Sequence, residues 1–322
     1  MITGQANLNP DVARRHDLRN LVHTAILVTG SGLLAAAIAW TVYGPDGLIW
    51  AAIAGAVGLW SLGRISPKMV LGLYKARPLA PDELPELQGL VADLARRAEL
   101  PAVPRLYFVA SKMLNAFAVG GRADAAIAIT DGLLRNMNLR QLAGILGHEV
   151  SHIRNGDLRV MGLADVLNRI TGFMSTMGLL GIPLMLGSGW RIPLPGIVLL
   201  IFAPTLGGLL QLALSRAREY DADLDGATLT GDPEGLAQAL ASLERKQGVA
   251  WEGLILPGSR LPEPSLLRSH PKTEDRIHRL LALRPEGARP PVTHGPWAYA
   301  DTASVQPLRP PRIHWHRLGI WY

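Results

Sequence analysis

The sequence predicts an α+β fold, mostly helical, in which a small β-sheet and several soluble helices are fused to four membrane-spanning helices in two hairpins. Two pairs of long apolar runs, a cluster of short β-prone runs between them, and a soluble amphipathic helix bearing two histidines four residues apart predict it. Composition agrees: 48% of the 322 residues are hydrophobic and the mean hydropathy is +0.19, too apolar for an ordinary soluble chain.

Residues 21–43 contain no Asp, Glu, Lys or Arg, and at about 1.5 Å per residue they reach the roughly 30 Å of a hydrocarbon core. Residues 48–65 form a second run, with Arg64 near its end, where a long side chain carries its charge to the interface. Gly44, Pro45, Asp46 and Gly47 make the turn between them. A cleaved signal peptide would end after a shorter apolar core at a small-residue site; here another apolar run follows almost at once, so a retained helical hairpin is expected. Arg14, Arg15 and Arg19 precede the hairpin, and Arg64, Lys68, Lys75 and Arg77 follow it, while the turn holds only Asp46. By the positive-inside rule both ends lie in the cytoplasm.

Between the apolar pairs, residues 78–100 show helical spacing of Leu84, Leu87, Leu90, Val91 and Leu94, which predicts a soluble amphipathic helix. Residues 105–110, 115–120 and 125–130 are β-prone, and the last two are joined by residues 121–124 as a hairpin. The second apolar pair spans 170–189 and 192–214, broken by Gly187, Ser188, Gly189, Trp190 and Arg191. Pro183, Pro193, Pro195 and Pro204 disfavour helices in water but are tolerated in membrane helices. A pair of buried core helices in a soluble domain is the competing reading. Past residue 284 the chain turns to Pro, Arg and scattered aromatics, which predicts a loosely ordered tail or an extended arm, with His314 and His316 solvated rather than binding a metal weakly. The expected organisation is an N-terminal arm and first hairpin (1–66), a first soluble part (67–157), a second hairpin (158–214), a second soluble part (215–284) and a tail (285–322).

The net charge of +6 admits nucleic acid, but the basic residues are neither gathered on one helix nor interleaved with stacking aromatics. A lipid bilayer is the partner they fit. With no cysteine in the chain, disulfides and thiolate metal sites are excluded, and any metal must use His, Asp or Glu.

Residues 147–157 read Gly-His-Glu-Val-Ser-His-Ile-Arg-Asn-Gly-Asp, after an apolar periodic run from Leu139. His148 and His152 project from nearly one helix face, so two imidazoles can bind one ion with Glu149 beside them. Asn138 with Gln141 is a capping box and Asn155-Gly156 a helix stop, which delimits the helix where the motif needs it. Nine His and eleven Glu in this length produce such a pattern by chance on the order of 0.01 times, so chance is a poor account.

A hydrolytic zinc site commonly takes three protein ligands and keeps a position for water. Residues 215–225 read Ser-Arg-Ala-Arg-Glu-Tyr-Asp-Ala-Asp-Leu-Asp, and Glu219 and Asp223 share a helix face. Glu219 is expected to bind one Zn2+ per chain, and Asp223 to accept a hydrogen bond from a ligand histidine. Against this stands a solvated cluster in which Arg216 and Arg218 pair with the acids. Ligands of one ion must share a side of the membrane, and two crossings between His152 and Glu219 satisfy that. The chemistry expected is hydrolysis by metal-activated water with Glu149 as general base. No nucleophile-elbow motif competes with it. A catalytically inactive zinc-binding membrane scaffold is the alternative, whereas a transporter needs polar groups that these apolar runs lack.

At these residues the chain resembles the HtpX-type membrane zinc peptidases, relatives of the CAAX prenyl endopeptidase. The likeness runs from the first hairpin to about Arg279, and rests on residues 147–152, on Ser-Arg-Ala-Arg-Glu-Tyr-Asp-Ala-Asp at 215–223 and on Ser-His-Pro-Lys-Thr-Glu-Asp-Arg at 269–276. It implies a zincin-like (gluzincin) domain in a bacterial-type inner (plasma) membrane, facing the cytoplasm, with His148, His152 and Glu219 as zinc ligands and Glu149 as base. It implies polypeptide substrates and a part in membrane protein quality control. From the third segment it implies that His270 stabilises the oxyanion and that Arg276 supports Asp223; a plain helix start is the other reading of His270. Residues 115–120 resemble the edge strand that holds an extended substrate, with Asn115 and Ala116 as its contacts, or else an inner strand packed under the zinc helix.

Overall fold

The computed structural model describes residues 10–62, 66–185, 194–252, 273–283, 314–316 and 319–321. The first apolar pair forms helix α1 (Pro10–Leu62), broken at Gly44, whose φ of 61° and ψ of −148° leave the helical region. Glycine takes that φ without a Cβ penalty, and Pro45 opens the second arm where its missing N–H costs nothing. The expected four-residue turn is therefore one residue wide.

A short helix, α2 (Pro67–Leu73), leads to strand β1 (Arg77–Pro78) and helix α3 (Pro85–Arg97). The helix expected over 78–100 thus starts later. Pro85 disfavours the α region for Leu84, which sits at φ 54°, and residues 77–78 pair instead with the next strand. β2 (Arg105–Val109), β3 (Ala116–Val119) and β4 (Ala126–Thr130) fall where the β-prone runs predict strands. The sheet order is β1-β2-β4-β3, with β2 and β4 parallel and β3 an antiparallel edge. Helices α4 (Asp131–Asn136) and α5 (Leu139–Asn155) follow. Leu87, Leu90 and Leu94 of α3 and Leu142, Leu146 and Ile153 of α5 close one core with Leu106, Ile127 and Ile129 of the sheet. On the opposite face Leu71 of α2 packs with Val109, Phe117 and Ala128.

Past Gly156 the chain enters α6 (Asp157–Met185), which begins before the apolar run 170–189, and then α7 (Leu194–Thr230), which carries the last apolar run straight into the acidic segment. The expected break at 187–191 lies outside the described residues. Contacts define how these helices run. Gly207 sits between Asn168 and Leu34, Gly178 between Val42 and Leu200, and Gly58 faces Val166. The first arm of α1 therefore follows α6 in the same direction and the second arm runs back along it, while α6 and α7 are antiparallel. Two helical hairpins pack as one bundle around Ile38, Val42, Leu200 and Ala203.

Among the described residues two helices are long and apolar enough to cross a membrane, over Val22–Gly58 and Leu194–Thr230, and only 28% and 22% of their apolar windows are buried. Leu33, Trp50, Ile201 and Leu209 point outward. Such exposure does not match core helices of a soluble domain. Of the four expected spans, these cover the first pair, counted as one broken helix, and the last; α6 is not apolar enough within its described length, where every 18-residue stretch includes Asn168 and Arg169.

Helices α8 (Pro233–Glu252) and α9 (Thr273–Ala282) complete the soluble part. In the tail, β5 (His314–His316) and β6 (Gly319–Trp321) form an antiparallel pair; the rest of the expected arm lies outside the described residues.

Candidate metal centre

The capping box closes with both of its hydrogen bonds, Asn138 to Gln141 and back, and Gly156 ends α5 at φ 70°. The helix bearing the histidines is thus set by its own sequence. Its approach to α7 is set by small residues. A Cβ on Gly147 would lie 2.9 Å from Thr230, and one on Gly226 would lie 2.8 Å from the His148 nitrogen. One turn on, Ser151 Oγ is 3.0 Å from the Ala222 carbonyl. Helices that cross this closely bring short side chains from both into contact.

His148, His152 and Glu219 meet there, all buried, each offering one ligand atom, with those atoms within 4.8 Å of one another. The two Nε2 atoms are 3.2 Å apart, and Glu219 oxygens stand 3.5 Å from that of His148 and 3.6 Å from that of His152. Tetrahedral zinc with bonds of 2.0–2.1 Å separates its donors by about 3.3 Å, so the spacing fits.

Each imidazole also has a carboxylate on its Nδ1. His152 Nδ1 is 2.8 Å from Asp157 Oδ2. His148 Nδ1 is 3.0 Å from Asp223 Oδ1, in ion-pair range but out of hydrogen-bond alignment. A proton held on Nδ1 leaves the Nε2 lone pair free, the tautomer a metal ligand needs. Each of these acids is answered in turn by a buried arginine: Arg276 grips Asp223 with two hydrogen bonds of 2.7 Å, and Arg218 donates to Asp157 over 2.9 Å. Four carboxylates, those of Glu149, Asp157, Glu219 and Asp223, thus surround two imidazoles and two guanidinium groups. With the acids ionised and both imidazoles neutral, as metal ligation requires, two negative charges are left over, which a divalent cation would balance.

Electrostatics report the same excess. Burial lowers the His148 pKa, but Asp223 and Glu219 overrule it and push it up to about 10. Burial also opposes the Asp223 charge, yet Arg276 and His148 hold its pKa below the usual carboxylate value. Glu149 is half-buried, and loss of water raises its pKa against the pull of the two histidines. Its Oε2 accepts a 3.0 Å hydrogen bond from the Ala118 N–H of β3.

That bond shows how the edge strand faces the site. The Asn115 backbone is turned inward, its carbonyl accepting from the Thr130 N–H and its N–H donating to Thr130 Oγ1. By the alternation of an antiparallel strand, Ala116 and Ala118 turn their backbone groups to the open edge. Of the two expected substrate contacts, Ala116 therefore faces outward, while the backbone of Asn115 is committed to Thr130. At the end of β3 a cavity of about 300 Å³ opens beside His152, lined also by Gly120, Gly121, Arg122, Ile153 and Arg159.

Arg276 reaches Asp223 as expected and also lies 3.3 Å from Glu219, while Arg279 stacks over the Tyr220 ring at 3.8 Å and docks α9 on α7. His270 lies outside the described residues. The solvated-cluster reading is half overturned: Arg218 does pair with an acid, but the acid is Asp157 on another helix and the pair is buried, whereas Arg216 is exposed. Sequence reasoning missed Asp157, Arg218 and Ala118. The first had a signal, an acid just past the helix-stop glycine; nothing in the residue order separates Arg218 from Arg216.

The model of peptidase family M48 matches residues 81–284. A "Protease HtpX homolog" of Methylibium petroleiphilum is 33% identical over 83% of this chain and 99% of its own length. Another, of Acaryochloris marina, is 36% identical over 84% of this chain and 97% of its own. Among solved structures, S. mikatae Ste24p aligns with a TM-score of 0.49 at 21% identity, covering 82% of this chain and 65% of that one.

Proposed function

The chain belongs to peptidase family M48, and from that premise we propose that it is an integral membrane zinc endopeptidase cleaving polypeptides at the cytoplasmic face. The observation that carries the reading is the convergence of His148, His152 and Glu219, with both Nδ1 atoms set against carboxylates. These three residues would hold Zn2+, which when bound supplies a Lewis acid for the scissile carbonyl and for water. Glu149, its pKa raised by burial, takes the proton from water and passes it to the leaving amine. An extended substrate adds to the β3 edge, where the Ala116 N–H and carbonyl give backbone pairing and Asn115 lies at the start of the strand. His270 is assigned the oxyanion, and Arg276 keeps Asp223 ionised and aimed at His148.

All four apolar runs span the bilayer in this reading, with the bundle boundary falling near Leu214, so that the soluble parts 67–157 and 215–284 form one unit against an inner (plasma) membrane. Substrates are misfolded or membrane polypeptides in a quality-control role. The inactive-scaffold reading has no observation in its favour, since Glu149 is present and set against the edge strand. The test is purified wild-type and Glu149→Gln protein in detergent, supplied with zinc and a casein substrate. Wild type should bind one zinc and cut; Glu149→Gln should bind one zinc with turnover lower by about 10²- to 10⁴-fold. Equal cutting by both ends the proposal.

A further inference from the structure

We propose that Asp157, Arg218 and Thr24 are positioning residues that tie the orientation of His152 to the first membrane arm; the inference rests on the zinc reading above. His152 Nδ1 lies 2.8 Å from Asp157 Oδ2, Arg218 donates to the other Asp157 oxygen over 2.9 Å, and the same guanidinium donates to Thr24 Oγ1. The four residues come from four helices, α5, α6, α7 and α1. Asp157 is wholly buried, and His152 and Arg218 nearly so, so water cannot substitute for a lost partner. Asp157 fixes the tautomer and tilt of the His152 ring. Arg218 sets its positive charge against the buried Asp157 carboxylate. A planar guanidinium has one orientation that satisfies both neighbours, so the place of Thr24 on α1 sets where Asp157 is held. On the His148 side the carboxylate, Asp223, is held by Arg276 from α9. The imidazole that this chain of contacts ties to α1 is the one that borders the cavity at the end of β3.

Zinc affinity is measured by chelator competition on the full chain in detergent, with kcat and KM on a peptide alongside. Asp157→Asn and Arg218→Gln are each expected to weaken zinc about 10- to 100-fold. The double variant should be no weaker than the worse single, because the two act as one chain. Thr24→Val should weaken zinc about two- to fivefold and lower kcat with KM unchanged, and Thr24→Ser should restore both. Wild-type zinc affinity in Arg218→Gln, an additive double, or a Thr24→Val protein indistinguishable from wild type overturns the inference. Should Asp157→Asn fail to fold, Arg218→Lys and the Thr24 pair decide it, Arg218→Lys being expected to keep the charge but lose zinc affinity with the lost fork. A wild-type chain that binds no zinc defeats the proposed function instead, which separates the two failures.

Discussion

At the scale of single residues, two glutamates 70 positions apart in the chain are proposed for different duties, and their surroundings separate them. Glu219 is 1% exposed and both of its oxygens face an imidazole Nε2; Glu149 is half-buried and its Oε2 takes a backbone N–H from the edge strand β3. Glu219→Gln should therefore weaken zinc by at least about 100-fold, more than loss of an outer partner does. Glu149→Gln should leave metal content at one per chain. Metal analysis after gel filtration distinguishes them, and equal metal loss in both would mean that Glu149 is itself a ligand. The motif made His148, Glu149 and His152 readable because four-residue spacing on a helix is a local property. Asp157 was not readable in the same way: its meaning comes from a helix turn that folds it back under His152, and from an arginine 61 residues further on.

Elements meet at this site through close approach rather than bulk. Gly226 lies against the backbone of His148, so Gly226→Val would force α5 and α7 apart and pull Glu219 from the imidazoles. A loss of about 1–3 kcal/mol is expected, read as a lower Tm together with lower zinc occupancy. Unchanged occupancy would show that the crossing does not set the ligand distances. A second tie joins the soluble parts: Arg140 of α5 holds Asp232, just before α8, through hydrogen bonds of 2.5 and 2.8 Å. Burial opposes the Asp232 charge, but Arg140 and the Gly235 N–H outweigh it and lower its pKa. A depressed folded pKa gives stability that is present above the unfolded carboxylate value and is lost as pH falls through the folded one. Asp232→Asn should cost about 1 kcal/mol at pH 7, since Arg140 is partly exposed. The gap to wild type should close below about pH 4 in thermal melts, and a gap that persists in acid would assign the loss to packing. The strands and α5 were legible from period and capping, whereas the start of α3 was not, because β1 pairing takes residues 77–78 into the sheet.

For the whole molecule, a chain without cysteine allows each proposed crossing to be tested with a single introduced thiol. Asp46→Cys, beside the Gly44 break, should react in intact cells with a membrane-impermeant maleimide, and Lys112→Cys, on the exposed loop before β3, only after permeabilisation. The reverse pattern would turn the site to the other face and sink the cytoplasmic assignment. By itself the sequence determined the apolar pairs, the strands, the capped helix and the spacing of His148, Glu149 and His152 on it, because hydrophobic period, helix caps and i, i+4 spacing act over a few residues, and it also singled out Glu219 as the third ligand candidate. Tertiary structure alone decided that α7 runs from an exposed apolar surface into the candidate metal site, that Gly147 and Gly226 set its distance from α5, and that Arg218 joins Asp157 to Thr24. Those depend on which helices touch, and contact between segments as distant as α1 and α7 is set by the packing of the whole bundle rather than by any local pattern.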